Sequence, residues 1–237
     1  MIGRIVWLAG LTALAMVATL AQLDRAARSQ PALAALVPAQ FRGFAAEQLT
    51  ERAIIAKDAA TALGEARRLV QARPLPAEHM RLLSQAAALK DESELALSAM
   101  AAATTRGWRD PVAQVAAGQS ALLQGEYDAA AQRIGALFAV GEPPEQRDAL
   151  LAALLAQPAG RAAFARKLVT PSRWRENGIS MATQVVPPDQ LAPTLAMAQA
   201  EGAALPCDRL ATIAASYTAS GSAAQAALFW PGNCPQP

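Results

Sequence analysis

The chain is poor in the residues from which catalytic sites are built. It holds one histidine, two cysteines and two tyrosines, and only 17% of its 237 residues are charged. A metal centre draws on three or four imidazole, thiolate or carboxylate ligands, and His79 with Cys207 and Cys234 is too small a set. A Ser-His-Asp site would have to use His79, and no G-x-S-x-G turn accompanies it. No G-x-x-x-x-G-K-[ST] or G-x-G-x-x-G loop occurs, so neither phosphate-cradling motif is present. Carboxylates are scattered, and no pair stands out for acid–base work. Neither sign of charge dominates. A formal charge of +2 with both signs interspersed leaves no footprint for nucleic acid. β-branched residues are sparse and never alternate over the length of a strand. These absences argue against an enzyme, a cofactor, a small-molecule substrate and a β-sheet. His79, beside Glu78 in the first turn of an expected helix, reads as a surface histidine.

What the chain has in excess is alanine, roughly a quarter of all residues against a much lower share in ordinary domains. Alanine is the strongest helix former because it loses no side-chain entropy. Its small side chain also lets helices approach closely. The expected fold class is all-α.

Residues 5–23 form a run of 19 residues without a formal charge, preceded by Arg4 and the amino terminus. As a helix the run spans about 28 Å, close to the hydrocarbon thickness of a bilayer. Trp7 stands near one end, where an interfacial aromatic belongs. The run reads as an uncleaved signal anchor over residues 1–23, with the amino terminus in the cytoplasm. A signal peptide cut after Thr19-Leu20-Ala21 is the competing reading. Either reading exports the rest. Arg25 and Arg28 follow the run, with only Asp24 to offset them. Residues 24–43, with Pro31, Pro38 and Gly43, look like a short linker.

From Phe44 the apolar spacing becomes helical and the chain reads as hairpins. They are 44–58 with 60–73, 77–90 with 92–105, 111–124 with 127–140, and 144–157 with 159–169. Pro74 and Pro76 end the first of these. Asp110 followed by Pro111 is a cap and first-turn signal. Residues 170–178 break the pattern. An irregular helix over 179–186, a helix over 189–202 and a last hairpin of 207–219 with 222–231 follow.

Two of the hairpins are copies of each other. Ala96 and Ala130 lie 34 residues apart, Leu83-Ser84 aligns with Ala117-Gly118, and Met100 aligns with Ile134. The turn at Asp91-Glu92-Ser93 aligns with Gly125-Glu126-Tyr127. Pro76, Pro111 and Pro144 mark the copy boundaries. A helix–turn–helix with this period resembles the tetratricopeptide repeat. The likeness is good over the residues from Ala77 to Glu142 and weaker elsewhere. The large aromatic of the family's fourth position is replaced by Met80 and Gln114, so the repeats are degenerate. The last hairpin fits again, with Tyr217, Gly221 and Ala226 at repeat positions.

The resemblance implies a TPR-like α-solenoid over residues 44–237. It also implies an inner groove lined by Glu78, Arg81, Gln85 and Ala88, then by Val112, Val115, Gln119 and Leu122. The Lys/Asn clamp of carboxylate-binding family members is missing. A second candidate surface is Arg173-Trp174-Arg175, whose cations and ring suit an acidic partner. The plainer reading has the Trp anchoring a loop onto the helices, with its arginines solvated. Cys207 and Cys234 flank the last hairpin at its open end and are expected to form a disulfide there, as suits an oxidising compartment. The expected role is a non-catalytic interaction scaffold. It would be held in a bacterial inner membrane through residues 5–23, face the periplasm, and serve protein partners of the cell envelope. An accessory single-span subunit of a larger membrane complex, with the helical domain as its cap, is the alternative.

Overall fold

The computed structural model of the chain describes residues 2–140, 144–230 and Gly232. Among the described residues there are thirteen α-helices, two 3-10 turns and no strand. Two compact units, Met1–Gly107 and Trp108–Pro237, divide the chain.

The first unit opens with α1 (Ile2–Ala27). Its 25 residues from Gly3 to Ala27 reach a mean hydropathy of 1.8 over the most apolar window, none of which is buried, and it is long and apolar enough to cross a membrane. Two 3-10 turns, Pro31–Leu36 and Ala39–Phe41, lead to α2 (Phe44–Ile55). Then come α3 (Ala59–Ala72), α4 (Ala77–Leu89) and α5 (Ser93–Arg106). Neighbours in sequence pack as antiparallel pairs, α2 on α3 and α4 on α5, with α3 against α4. The core is a set of small clusters made largely of alanine. Ala53, Ala62, Ala66, Ala86, Ala87 and Ala99 surround Leu63 and Leu83 in the largest.

The expected linker is folded. Ala34 and Val37 of the 3-10 region are buried with Ala27 and Ala45. The physical reason is a capping bond that crosses the stretch. Asp24, in the last turn of α1, accepts from the backbone N–H groups of Gly43 at 2.9 Å, Phe44 at 3.1 Å and Ala45 at 2.9 Å. Those are orphan donors of the first turn of α2, and a carboxylate there also meets the positive end of the helix dipole. The connection is thereby closed into a compact loop.

The second unit contains α6 (Pro111–Leu123), α7 (Tyr127–Val140), α8 (Pro144–Ala156) and α9 (Pro158–Val169). After these come α10 (Arg175–Val185), α11 (Pro188–Ala200), α12 (Cys207–Ala219) and α13 (Ala223–Phe229). Its core is one continuous cluster in which Ile134, Leu137, Leu151, Leu154, Phe164, Leu191 and Leu195 are fully or almost fully buried. The expected break at 170–178 is shorter than the sequence suggests. α10 begins at Arg175, because Trp174 plugs into the core and starts the helix there.

One local device recurs. Lys57, Asp91 and Gly125 all take left-handed backbone conformations, each 34 positions after the last. At each, the next residue's N–H reaches back five residues. Asp58 N–H donates to the Ala53 carbonyl, Glu92 to Ala87 and Glu126 to Ala121. This is the Schellman ending, which satisfies the orphan carbonyls at a helix C-terminus. Gly221 repeats it between α12 and α13, with Ser222 N–H on the Tyr217 carbonyl. The 34-residue period thus has a structural counterpart, and it extends back to the α2–α3 pair.

Candidate functional site

The expected groove residues separate between the two units. Glu78, Arg81 and Gln85 lie on α4 of the first unit, and Val112, Val115 and Gln119 on α6 of the second. On α4, Glu78 is exposed, while Arg81 and Gln85 are half-buried and joined by a 3.2 Å hydrogen bond from the guanidinium to the amide oxygen. On α6, Val112 and Gln119 are exposed, but Val115 is only 8% exposed and belongs to the core of the second unit. Assigning Val115 to a groove is therefore corrected: it faces inward with Ala121 and the leucines of α8. A single helix carries both a core stripe and a surface stripe, and in a chain this rich in alanine the two are hard to tell apart from sequence.

The second unit has a real depression between α6 and α8. It is an open trough of about 570 Å³, lined by Gln119, Leu122, Leu123, Gln146, Ala149 and Ala153 among others. Leu123 is 89% exposed, the most exposed large apolar side chain among the described residues. Gln119 and Leu122 of the expected lining fall here, and the leucine beyond them does too. Glu145 and Gln146, in the first turn of α8, give the depression one polar edge. The arrangement is an aliphatic trough with a few amide and carboxylate groups at its margin. It suits the apolar stripe of a helix or an extended apolar peptide. It brings together no nucleophile, base and charged stabiliser.

The Arg173-Trp174-Arg175 segment is structural at its centre. The Trp174 ring stacks on Phe138 at 5.6 Å between centroids and 8° between planes, and Phe164 meets it at 6.1 Å. Gly135 and Gly178 lie against the ring. A β-carbon at either would sit about 3 Å from it, at 3.1 and 2.9 Å. Arg175 donates to the carbonyls of Leu168 at 3.2 Å and Ala204 at 2.8 Å, so it ties the chain rather than facing solvent. Arg173 alone of the three is exposed.

His79 is not a surface residue. It is 2% exposed, its Nδ1–H donates to the Arg73 carbonyl at 2.7 Å, and its Nε2 stands 3.4 Å from a carboxylate oxygen of Glu47. Arg73 also reaches Glu47 at 3.2 Å and lies over the Phe44 ring at 4.1 Å. The hydrogen bond from His79, together with the Arg73 guanidinium, holds the Glu47 carboxyl below its ordinary range against the opposing effect of burial. This knot joins α2, the end of α3 and the start of α4. Its partners are 26 and 32 positions from Glu47 in sequence, so no local pattern announces it. Arg42 forms a further, partly buried pair with Glu65 at 2.6 Å.

Cys207 opens α12, and Cys234 lies outside the described residues. Tyr217 on α12 meets Phe229 of α13 edge-on at 6.0 Å, and burial pushes its hydroxyl up to about 12. Among the described residues no group of three or more His, Cys, Asp or Glu side chains could hold a metal ion.

No family model matches the chain, and no curated protein matches it.

Proposed function

We propose that the chain is a membrane-anchored interaction scaffold of a bacterial envelope complex, with its helical hairpins forming a TPR-like solenoid on the periplasmic side. The observation that carries this reading is α1. It is apolar over a membrane-spanning length, has no buried part in its apolar window, and is joined directly to a folded unit through the Asp24 cap. A helix of that composition has no place in water unless lipid or another apolar helix covers it. The recurrence of the left-handed turn at 57, 91 and 125 supports the repeat reading. The trough between α6 and α8 supplies a surface for a protein partner with an apolar stripe.

Flanking charge does not set the orientation. Arg4 precedes the uncharged run 5–23, whereas Arg25 and Arg28 follow it, and the carboxylate of Asp24 is taken up by the α2 cap. Export rests on the cysteine pair, because a disulfide persists in an oxidising compartment. A phosphatase fused after Pro237 and active only when exported tests it. An inactive, well-expressed fusion reverses the topology.

The scaffold reading is tested by capture from solubilised membranes with the full chain. Leu123→Glu places a charge in the trough at an exposed position, and the helical circular dichroism signal should not change. Capture of the partner should fall at least about tenfold, as burying an unpaired carboxylate costs more than 1.4 kcal/mol. Undiminished capture removes the trough from the reading. The accessory-subunit alternative draws on the small residues Gly10, Ala13 and Ala15 of α1, which suit close helix packing in lipid. Deleting residues 1–20 keeps Leu23 and Asp24 in place and separates the two. Partners lost with the deletion belong to α1, and partners retained belong to the hairpins.

A further inference from the structure

The 3-10 turn Pro31–Leu36 follows α1 directly and folds back on it. It packs against both α1 and α2. Leu23, the last residue of the apolar run, touches the cluster of Ala27, Ala34, Val37 and Ala45. The turn therefore stands beside the end of the run, where a spanning helix leaves hydrocarbon for headgroups. Its surface is unlike that of a soluble loop. Residues 31–41 include no charged side chain. Pro31, Ala32, Ala35 and Leu36 are exposed, with Leu36 at 66%. The cations nearby divide into two kinds. Arg42 is held by Glu65 and Arg73 by Glu47. Arg25 and Arg28 are exposed and have no carboxylate partner among the described residues; Arg28 lies 5.6 Å from the Phe44 ring centroid.

We infer that Pro31–Leu36 is a second membrane contact, lying on the bilayer surface beside α1 with Leu36 at the acyl boundary and Arg25 and Arg28 among anionic headgroups. This rests on α1 spanning the membrane. The physical case is continuity. An uncharged apolar turn held against the exit of a spanning helix is placed where apolar side chains are favoured, and interfacial faces of this kind sink about 5–10 Å into the headgroup and acyl boundary. Cations at that depth meet anionic lipid. The consequence is orientation. One helix alone leaves its domain free to swivel, whereas a helix and a lateral contact, coupled by the Asp24 cap, hold the first unit at a set angle to the membrane.

The test uses the full chain in phosphatidylcholine vesicles, with and without phosphatidylglycerol, whose acyl chains carry bromine as a fluorescence quencher. Quenching of Trp7, read as the part lost on Trp7→Phe against the background of Trp108, Trp174 and Trp230, reports α1 in the bilayer. Leu36→Trp and Leu97→Trp each add one indole at an exposed position, the second on α5 at 74% exposure. Leu36→Trp should add shallow-bromine quenching several times that of Leu97→Trp, with a further increase when phosphatidylglycerol is present. Arg25→Gln combined with Arg28→Gln should erase that increase and leave Trp7 quenched. The inference is overturned if Trp7 is quenched while the two added indoles behave alike, as they would if a protein partner covered the turn. An anionic-lipid increase that survives the arginine changes overturns the role given to them. If Trp7 itself escapes quenching, the membrane-spanning reading fails instead.

Discussion

Trp174 offers the sharpest test of how the second unit is held together. Its ring is clamped between Phe138 and Phe164, with Gly135 and Gly178 closing in from α7 and α10. Truncating a buried aromatic to alanine costs about 3–5 kcal/mol, and Trp174 keeps some exposure, so Trp174→Ala should cost about 3 kcal/mol. Gly178→Ala crowds the same ring. The added methyl would lie 2.9 Å from one ring carbon and 3.1 Å from the next. It would also stand 3.4 Å from a carbon of the Phe138 ring, which is stacked with the indole at a plane angle of 8°, so both rings crowd it. Overpacking of this kind costs about 1–3 kcal/mol. The two changes should not add. Without the indole the methyl has space, and alanine favours helix over glycine by up to about 1 kcal/mol, so Gly178→Ala should be neutral or stabilising in the Trp174→Ala background. Hydrogen exchange of the full chain reads this locally. Amides of α7, α9 and α10 should lose roughly 100-fold in protection with Trp174→Ala, while those of α2 to α4 hold. Additive effects of the two substitutions would refute the clamp. So would a Trp174→Ala protein whose second-unit protection stays within a few-fold of the original.

Two other outcomes follow from the first unit and the terminal hairpin. The Glu47 carboxyl is held below its ordinary value in the folded chain, so the unfolded state binds its proton first as pH falls. The stability it contributes is present above the ordinary carboxylate range and is lost as pH drops through the folded value. Exchange protection in α2 and α4 should therefore decline below about pH 4.5, and Glu47→Gln should flatten that decline; an unchanged profile removes Glu47 from the cause. For the cysteines, non-reduced mass spectrometry of exported protein should show a Cys207–Cys234 bridge. Cys234→Ser should then destabilise the last hairpin by up to about 3 kcal/mol and leave α6 to α9 protected. Two free thiols in exported protein would defeat both the bridge and the case for export.

The helices of this chain are a local matter, and local sequence determined them. An abundance of alanine, proline and Asp-Pro boundaries, and turns repeated every 34 residues set where each helix begins and ends, because propensity, capping and the left-handed turn act within a few residues. The apolar helix at the start is equally legible, since length and hydropathy need no partner. What the tertiary structure alone decided lies in contacts between distant residues. Residues 24–43 read as a linker until Asp24 is seen capping a helix that begins 20 positions later. His79 reads as a surface residue until the Arg73 carbonyl and Glu47 occupy its two nitrogens. Val115 and Leu123 are both aliphatic residues on α6, yet one is 8% and the other 89% exposed. Periodicity tells that a helix has an apolar stripe. Which neighbour covers that stripe, and how much of it stays open, is settled only when the other helices are in place, because burial is a property of the pair and not of the sequence of either one.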